Sequence, residues 1–155
     1  MVVNDVENTK MDENEINTKL KGIRNYLGSF AVNELKNLRI RYYPSYLITN
    51  LDNRWESGSH WIAITIDVNS IYVCDSLGAI GPNRLPHEII DFLHLYSSNR
   101  ELYITRQLQQ TTALTCGYYA IFFILYIQSH TFCEFLDNFS LNYTLNDALI
   151  YIYCK

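Results

Sequence analysis

In the stretch LQQTTALTCGYYAIFFIL, residues 108–125, two glutamines precede Cys116, which is followed by a glycine and an unbroken apolar run. A cysteine at the start of a helix lies among unpaired backbone N–H groups, and these favour thiolate over thiol. A thiolate can attack a carbonyl carbon, and the oxyanion that forms needs N–H donors. Gln109 or Gln110 is placed to supply a side-chain amide, with the Cys116 backbone N–H as a second donor. Taken alone, such a Cys-Gly step is more often a small hydrophobe entering a buried helix. The chemistry therefore depends on partners elsewhere in the chain.

A cysteine nucleophile needs a base, and the base needs a group that orients it. His60 stands where the polar turn ESGS meets the run WIAITI, at the rim of a strand. Asp75 closes the next apolar run in IYVCDSLG. If Ile66 and Ile71 face each other across the turn DVNS, Asp75 falls opposite Ile62 and is a diagonal neighbour of His60. A carboxylate there can accept the imidazole Nδ1–H and stabilise imidazolium. Each residue alone reads as an ordinary turn residue; with Cys116 they form a set. His87 and His94 on a helix, and His130 after one, read as solvated or capping residues.

The elements that must position this set follow from pattern. Ile16, Leu20, Ile23 and Leu27 share a helix face, with Gly22 inside the run and Gly28 as the stop. SFAVNEL reads as a short helix capped by Ser29. SYLITN (45–50), WIAITI (61–66) and IYVCD read as strands, the last two as a hairpin. GAIGPNRLP reads as a loop and HEIIDFLHLYSS as a helix. ELYITRQL is a further strand, a helix runs from Cys116 to about Ser129, and one or two shorter helices end the chain. Separate runs of helices and strands with hairpin pairing predict an α+β fold.

The chain has 155 residues, enough for one domain with a sizeable core. Residues 1–13 are polar and acidic and read as a flexible segment; 14–155 read as the single domain. With no apolar signal region, secretion is disfavoured and an intracellular location expected. No apolar window reaches the length of a membrane span. Net charge is −4, and the basic residues bunch only loosely at Lys19, Lys21 and Arg24 and at Lys36, Arg39 and Arg41, which suits solvated faces. Cys74, Cys116, Cys133 and Cys154 form no CxxC pair, against a zinc ribbon or thioredoxin motif. No cofactor or metal is implied.

GSHWIAI, YVCDSLG and LQQTTALTCGYYAIFFIL, in this order, resemble the adenovirus protease family and its relatives in large DNA viruses and virus-like transposons, over about residues 29–127. The SUMO-specific proteases share the His-Trp step, the Asp and the Gln…Cys-Gly step. The resemblance implies a cysteine endopeptidase of permuted papain-like architecture, with a central, mostly antiparallel sheet between helices. It implies His60 as base, Asp75 as orienter, Cys116 as nucleophile and a glutamine as oxyanion donor, with Trp61 matching the family tryptophan. Adenovirus-type spacing selects Gln109 and SUMO-protease spacing selects Gln110. Alternation along LYITRQLQ places Gln107 and Gln109 on one face, and Gln109 is the expected donor.

This chain departs from the adenovirus enzymes in its short length and in carrying Asp rather than Glu at position 75. Those enzymes use DNA and a small peptide as activators; the acidic net charge argues against DNA here, and the peptide is left open. The expected function is cleavage of viral or transposon precursor proteins at Gly-Gly-type sites, inside the host cytoplasm or nucleus, with packaging in virions on the viral reading. The alternatives are a deSUMOylating or deubiquitinating isopeptidase and a non-catalytic binding module on the same fold.

Overall fold

Every second side chain of strand β3 (Trp61–Ile66) points to one of two separate cores. Ile62, Ile64 and Ile66 enter one, and Trp61 and Ala63 enter the other. A strand buried on both faces must be apolar throughout, and WIAITI is so apart from Thr65. The protein is described from a computed structural model covering residues 10–52, 60–78 and 85–154. The turn ESGS and most of the loop GAIGPNRLP lie outside the described residues.

Five strands lie in chain order across one sheet: β1 (Tyr26–Phe30), β2 (Ser45–Asn50), β3, β4 (Ser70–Cys74) and β5 (Glu101–Ile104). The central pairings β2–β3 and β3–β4 are antiparallel, while β1–β2 and β4–β5 are parallel. The sheet is thus antiparallel at its centre and mixed at its edges. The β3–β4 turn closes with Asp67 N–H donating to Ser70 O at 2.8 Å, and Ile66 pairs with Ile71 as expected. Parallel β4 and β5 need a crossover, which contains helix α2 (His87–Tyr96). Its Ile89, Phe92 and Leu93 are buried over the core that receives Ile64, Ile71 and Val73.

The opposite face carries α1 (Glu13–Leu20), α3 (Cys116–Ile127), α4 (Phe132–Leu136) and α5 (Tyr143–Tyr153). Helix α3 is apolar almost all round, as a helix packed on every side must be. It rests on β3 and is ringed by Phe135, Phe139 and Tyr153, which pack with Phe122 and Phe123. The architecture is α+β with the sheet between helices, as the sequence predicts.

Four local expectations are corrected. The first helix ends at Leu20, because Gly22 takes a left-handed φ of +91° and turns the chain. Ile23 and Leu27 keep the helical spacing by coincidence, and Gly28 lies inside edge strand β1. Ser29 is in β1, where its hydroxyl donates to Asn17 Oδ1 of α1; the next element is a 3-10 helix, Val32–Asn37, begun by Ala31. Residues 10–13, read as flexible, belong to the fold: Met11 is buried and the Asp12 carboxylate caps α1 by accepting from Glu15 N–H at 2.8 Å. β5 also stops early, at Ile104, and residues 105–115 leave the sheet.

Gly78 closes the turn that follows Asp75, its N–H donating to Asp75 O at 2.9 Å. It has a φ of +77°, and an added Cβ would lie 3.1 Å from the Gln107 backbone nitrogen. Gly78→Ala is expected to lower the melting temperature by roughly 3–6 °C, from left-handed strain and the displaced backbone, measured by circular dichroism.

Candidate active site

Asp75 is one residue beyond β4, and Ala63 pairs with Cys74 on β3. Continuing that register puts Asp75 opposite Ile62 and diagonal to His60, which immediately precedes β3. His60 Nε2 lies 2.7 Å from Asp75 Oδ1. The contact is the one expected from hairpin register, but the ring is turned: Nε2, not Nδ1, meets the carboxylate. Nδ1 is therefore the ring nitrogen that the carboxylate leaves open, and Cys116 is the second group that acts on the imidazole.

Asp75 is held from three sides. Its Oδ1 also accepts from Leu77 N–H at 3.1 Å, an Asx turn that fixes the carboxylate to its own backbone. Thr105, just past β5, accepts from Asp75 N–H at 2.9 Å and donates to Asp75 O at 2.8 Å. The bond to His60 is thus made by a carboxylate with little freedom to move.

Cys116 is the first residue of α3, so its backbone N–H lies outside the helix's own ladder. Trp61 N–H donates to its Sγ at 3.4 Å. Burial pushes the thiol up, but the hydrogen bond and charge of His60, the Trp61 N–H and the charge of Lys10 outweigh it, and the thiol is held below its ordinary value. Burial pulls His60 down, yet the Asp75 hydrogen bond and Cys116 raise it to about 9. Cys116 and His60 are each 3% exposed, so the two charges face each other in a largely dry setting. The two shifts run in opposite directions, and both favour the charged pair, imidazolium and thiolate, over the neutral one.

The two glutamines part company. Gln109 is buried; its Oε1 accepts from the hydroxyl of Ser76, and its N–H donates to Ser76 O at 3.1 Å. It is therefore locked to the residue after Asp75. Its Nε2 donates to Ala113 O at 3.1 Å and to Gln110 O at 3.3 Å. Gln110 turns away, its Nε2 donating to Thr144 Oγ1 at the start of α5.

Asp147 and Asn146 of α5 were not found from the sequence. The Asp147 carboxylate accepts from Gln110 N–H at 3.0 Å, from the Thr115 hydroxyl at 2.9 Å and from the Tyr119 hydroxyl at 2.9 Å. Asn146 Nδ2 donates to Leu108 O at 2.9 Å. Together they pin the segment that carries Gln109 and Cys116. The only signal in the sequence is an Asn-Asp pair within the otherwise apolar run YTLNDALIYIY. Among the described residues no group of His, Cys, Asp and Glu has the makings of a metal site, and no helix is long and apolar enough to cross a membrane.

A thiol at a helix start, an imidazole and a buried carboxylate in series form the constellation of a cysteine hydrolase. Residues 25–146 match the Ulp1 protease family, C-terminal catalytic domain, and the chain belongs to this family of cysteine proteases. The motif resemblance to adenovirus-type and SUMO-type proteases is borne out at that level. The central domain of the uncharacterized Lpg1148 protein from Legionella pneumophila is similar in fold: TM-score 0.54, 11% identity, covering 94% of this chain and 93% of that one. The ASFV pS273R protease gives a TM-score of 0.54 at 13% identity over 81% of this chain. A selenomethionine form of pS273R gives 0.46 at 17% over 68%. This chain spans 59% and 43% of the length of those two pS273R chains. No curated protein matches it.

Two outcomes follow from this geometry. Iodoacetamide at neutral pH should label Cys116 first and exposed Cys133 next, as followed by peptide mass spectrometry. Cys154, raised to about 11 chiefly by burial, should lag, and Cys74, raised well above an ordinary thiol by complete burial, should react only on unfolding. Asp147→Ala leaves three donors without their acceptor and should cost on the order of 3 kcal/mol in urea unfolding, with Asp147→Asn milder.

Proposed function

We propose that the chain hydrolyses peptide bonds in protein substrates through Cys116, His60, Asp75 and Gln109. The observation that carries this reading is the buried series Asp75–His60–Cys116, with the thiol lowered and the imidazole raised. The Cys116 thiolate attacks the scissile carbonyl carbon and the carbonyl electrons move onto oxygen. Cys116 N–H and Gln109 Nε2 donate to that oxyanion. For this the Gln109 amide gives up its longer bond, the one to Gln110 O. As the intermediate collapses, the imidazolium Nδ1–H passes to the departing amine and a thioester remains. His60, now neutral, takes a proton from water, which attacks the thioester and releases the acid and the thiolate. Asp75 keeps Nε2 protonated and stabilises imidazolium in both halves.

The substrates proposed are viral or transposon precursor proteins cut at Gly-Gly-type sites, inside the cell. The depth of Cys116 and His60 supports small residues beside the scissile bond, since a bulky side chain would have to reach a nucleophile that is 3% exposed. An isopeptidase acting on ubiquitin-like conjugates would use the same four residues, and membership of the Ulp1 family supports it as the second reading. DNA is not proposed as an activator, given the net charge of −4.

Cleavage of a precursor-derived Gly-Gly peptide is compared with that of ubiquitin-like substrates, with each variant assayed on whichever is cut. Cys116→Ala and His60→Ala should abolish turnover, and Asp75→Asn should lower it less. Gln109→Ala should lose on the order of 100- to 1,000-fold in kcat with little change in KM, and Gln110→Ala should stay close to the parent. A greater loss in Gln110→Ala would move the donor role to that residue. Preferential cleavage of ubiquitin-like conjugates would select the isopeptidase reading, and full activity in Cys116→Ala would overturn both.

A further inference from the structure

The peptide between His60 and Trp61 is held at both of its polar groups. Its carbonyl, His60 O, accepts from Leu51 N–H at 3.1 Å, and its N–H donates to Cys116 Sγ at 3.4 Å. The two groups of a trans peptide point in opposite directions, so Trp61 N–H faces away from β2, toward the side on which β4 has already ended at Cys74. Sulfur thus stands where a ladder acceptor would, for a donor that would otherwise be buried unmatched. The Trp61 side chain is held from outside the sheet. Its indole Nε1–H donates to Met11 O at 2.9 Å. A Cβ on Gly117 would lie 3.0 Å from Met11 Cβ, 3.5 Å from Met11 Sδ and 3.5 Å from Trp61 Cδ1. Met11 and the indole therefore share the space that glycine leaves beside Cys116. Met11 is itself buried, and Asp12, the next residue, is fixed as the cap of α1.

We propose that Met11 is a positioning residue of the active site: by seating the Trp61 indole against Gly117, it fixes the Trp61 N–H that donates to the Cys116 sulfur. This rests on the reading of Cys116 as nucleophile. A hydrogen bond to an anion is stronger than one to a neutral acceptor, so a donor held on sulfur favours thiolate over thiol. His60 cannot serve the thiolate throughout a turnover, because it gives its proton to the leaving amine and then acts as base. A backbone N–H takes no part in those transfers and remains a donor through both halves of the reaction. It can do so only while Trp61 keeps its place. Trp61 is the first residue of β3, and the ladder to β4 begins only at Ala63, so the sheet holds it from the β2 side alone. Met11 supplies the support that β4 does not. The same contact gives a reason for the Cys-Gly step that helix capping alone does not: a side chain at position 117 would press on Met11 and the indole together.

The test is the pH dependence of Cys116 alkylation by iodoacetamide in the full chain, for the parent, Met11→Ala, Met11→Leu, Trp61→Phe and, as a control for packing lost in the other core, Ile89→Val. Met11→Ala should move the thiolate titration upward by about half a unit, a roughly threefold slower reaction on the acid limb. Trp61→Phe, which keeps a ring and removes the indole donor, should move it the same way. Met11→Leu, which refills the space over Gly117 and keeps the backbone carbonyl, should restore most of the parent profile. Ile89→Val should lower the melting temperature and leave the titration in place. The acid limb of kcat/KM should move with the alkylation profile. A purely structural role for Met11 would lower stability without moving the titration, so an unshifted profile in Met11→Ala overturns the proposal while leaving the catalytic reading intact. Where Met11→Ala does not fold, Trp61→Phe is read in its place. A parent Cys116 that titrates as a free thiol overturns both.

Discussion

A slip of one residue between β3 and β4 would turn Asp75 to the face of the sheet opposite His60, because side chains alternate along a strand. The pairing of Ile66 with Ile71 and of Ala63 with Cys74 forbids it. Ile62, Ile64, Ile66, Ile71 and Val73 all lie in the core under α2, and a slip would drive one strand's share of them against α3 instead. Burying each such side chain is worth about 1.5–3 kcal/mol, so the register is fixed by far more than the hydrogen bonds of the turn. The packing that folds the hairpin and the geometry that places imidazole against carboxylate are one constraint. Thr105 extends it past the end of β4 by holding both backbone groups of Asp75.

That hairpin delivers charge into a place that burial would otherwise keep neutral. Desolvation alone pushes the Cys116 thiol up and the His60 imidazole down. Neither result survives, because each group is the other's counter-charge and Asp75 supplies a second anion to the ring. A buried charge persists only where partners replace the water it has lost. Here Asp75 does so for the ring at Nε2, and Trp61 N–H and the imidazole do so for sulfur. Cys74 shows the contrast: equally buried, with the Asp75 carboxylate as its charged neighbour, it is held as the thiol.

Between β5 and α3 the chain has little regular structure, yet it carries Gln109 and leads into Cys116. Its rigidity comes from outside. Ser76 holds Gln109 from the hairpin side, while Asn146 and Asp147 of α5 hold Leu108, Gln110, Thr115 and Tyr119 from the other. Burial and the Asp147 carboxylate push the Tyr119 hydroxyl far up, so it remains a donor. A loop with its polar groups matched in this way is held in one arrangement although it has no helix or strand of its own.

The sequence by itself determined the parts in which local period and chemistry coincide. WIAITI and IYVC alternate into two cores around a short polar turn, so the hairpin, its register and the approach of His60 to Asp75 could be counted out residue by residue. The apolar run after Cys116 fixed α3 and the helix-start position of the thiol. Tertiary structure decided the rest, where the partner lies far along the chain and leaves no periodic mark. Ile23 and Leu27 continued a helical spacing, and the left-handed turn at Gly22 with pairing to β2 made that stretch a strand. The ring nitrogen offered to Asp75 follows from how His60 sits between two partners, which hairpin counting does not contain. Gln109 separates from Gln110 because Ser76 takes one and Thr144 the other. Met11 reads as part of a polar tail until Gly117 and Trp61 give it a place to pack, since burial belongs to the surface a residue meets and not to the neighbours it has in sequence.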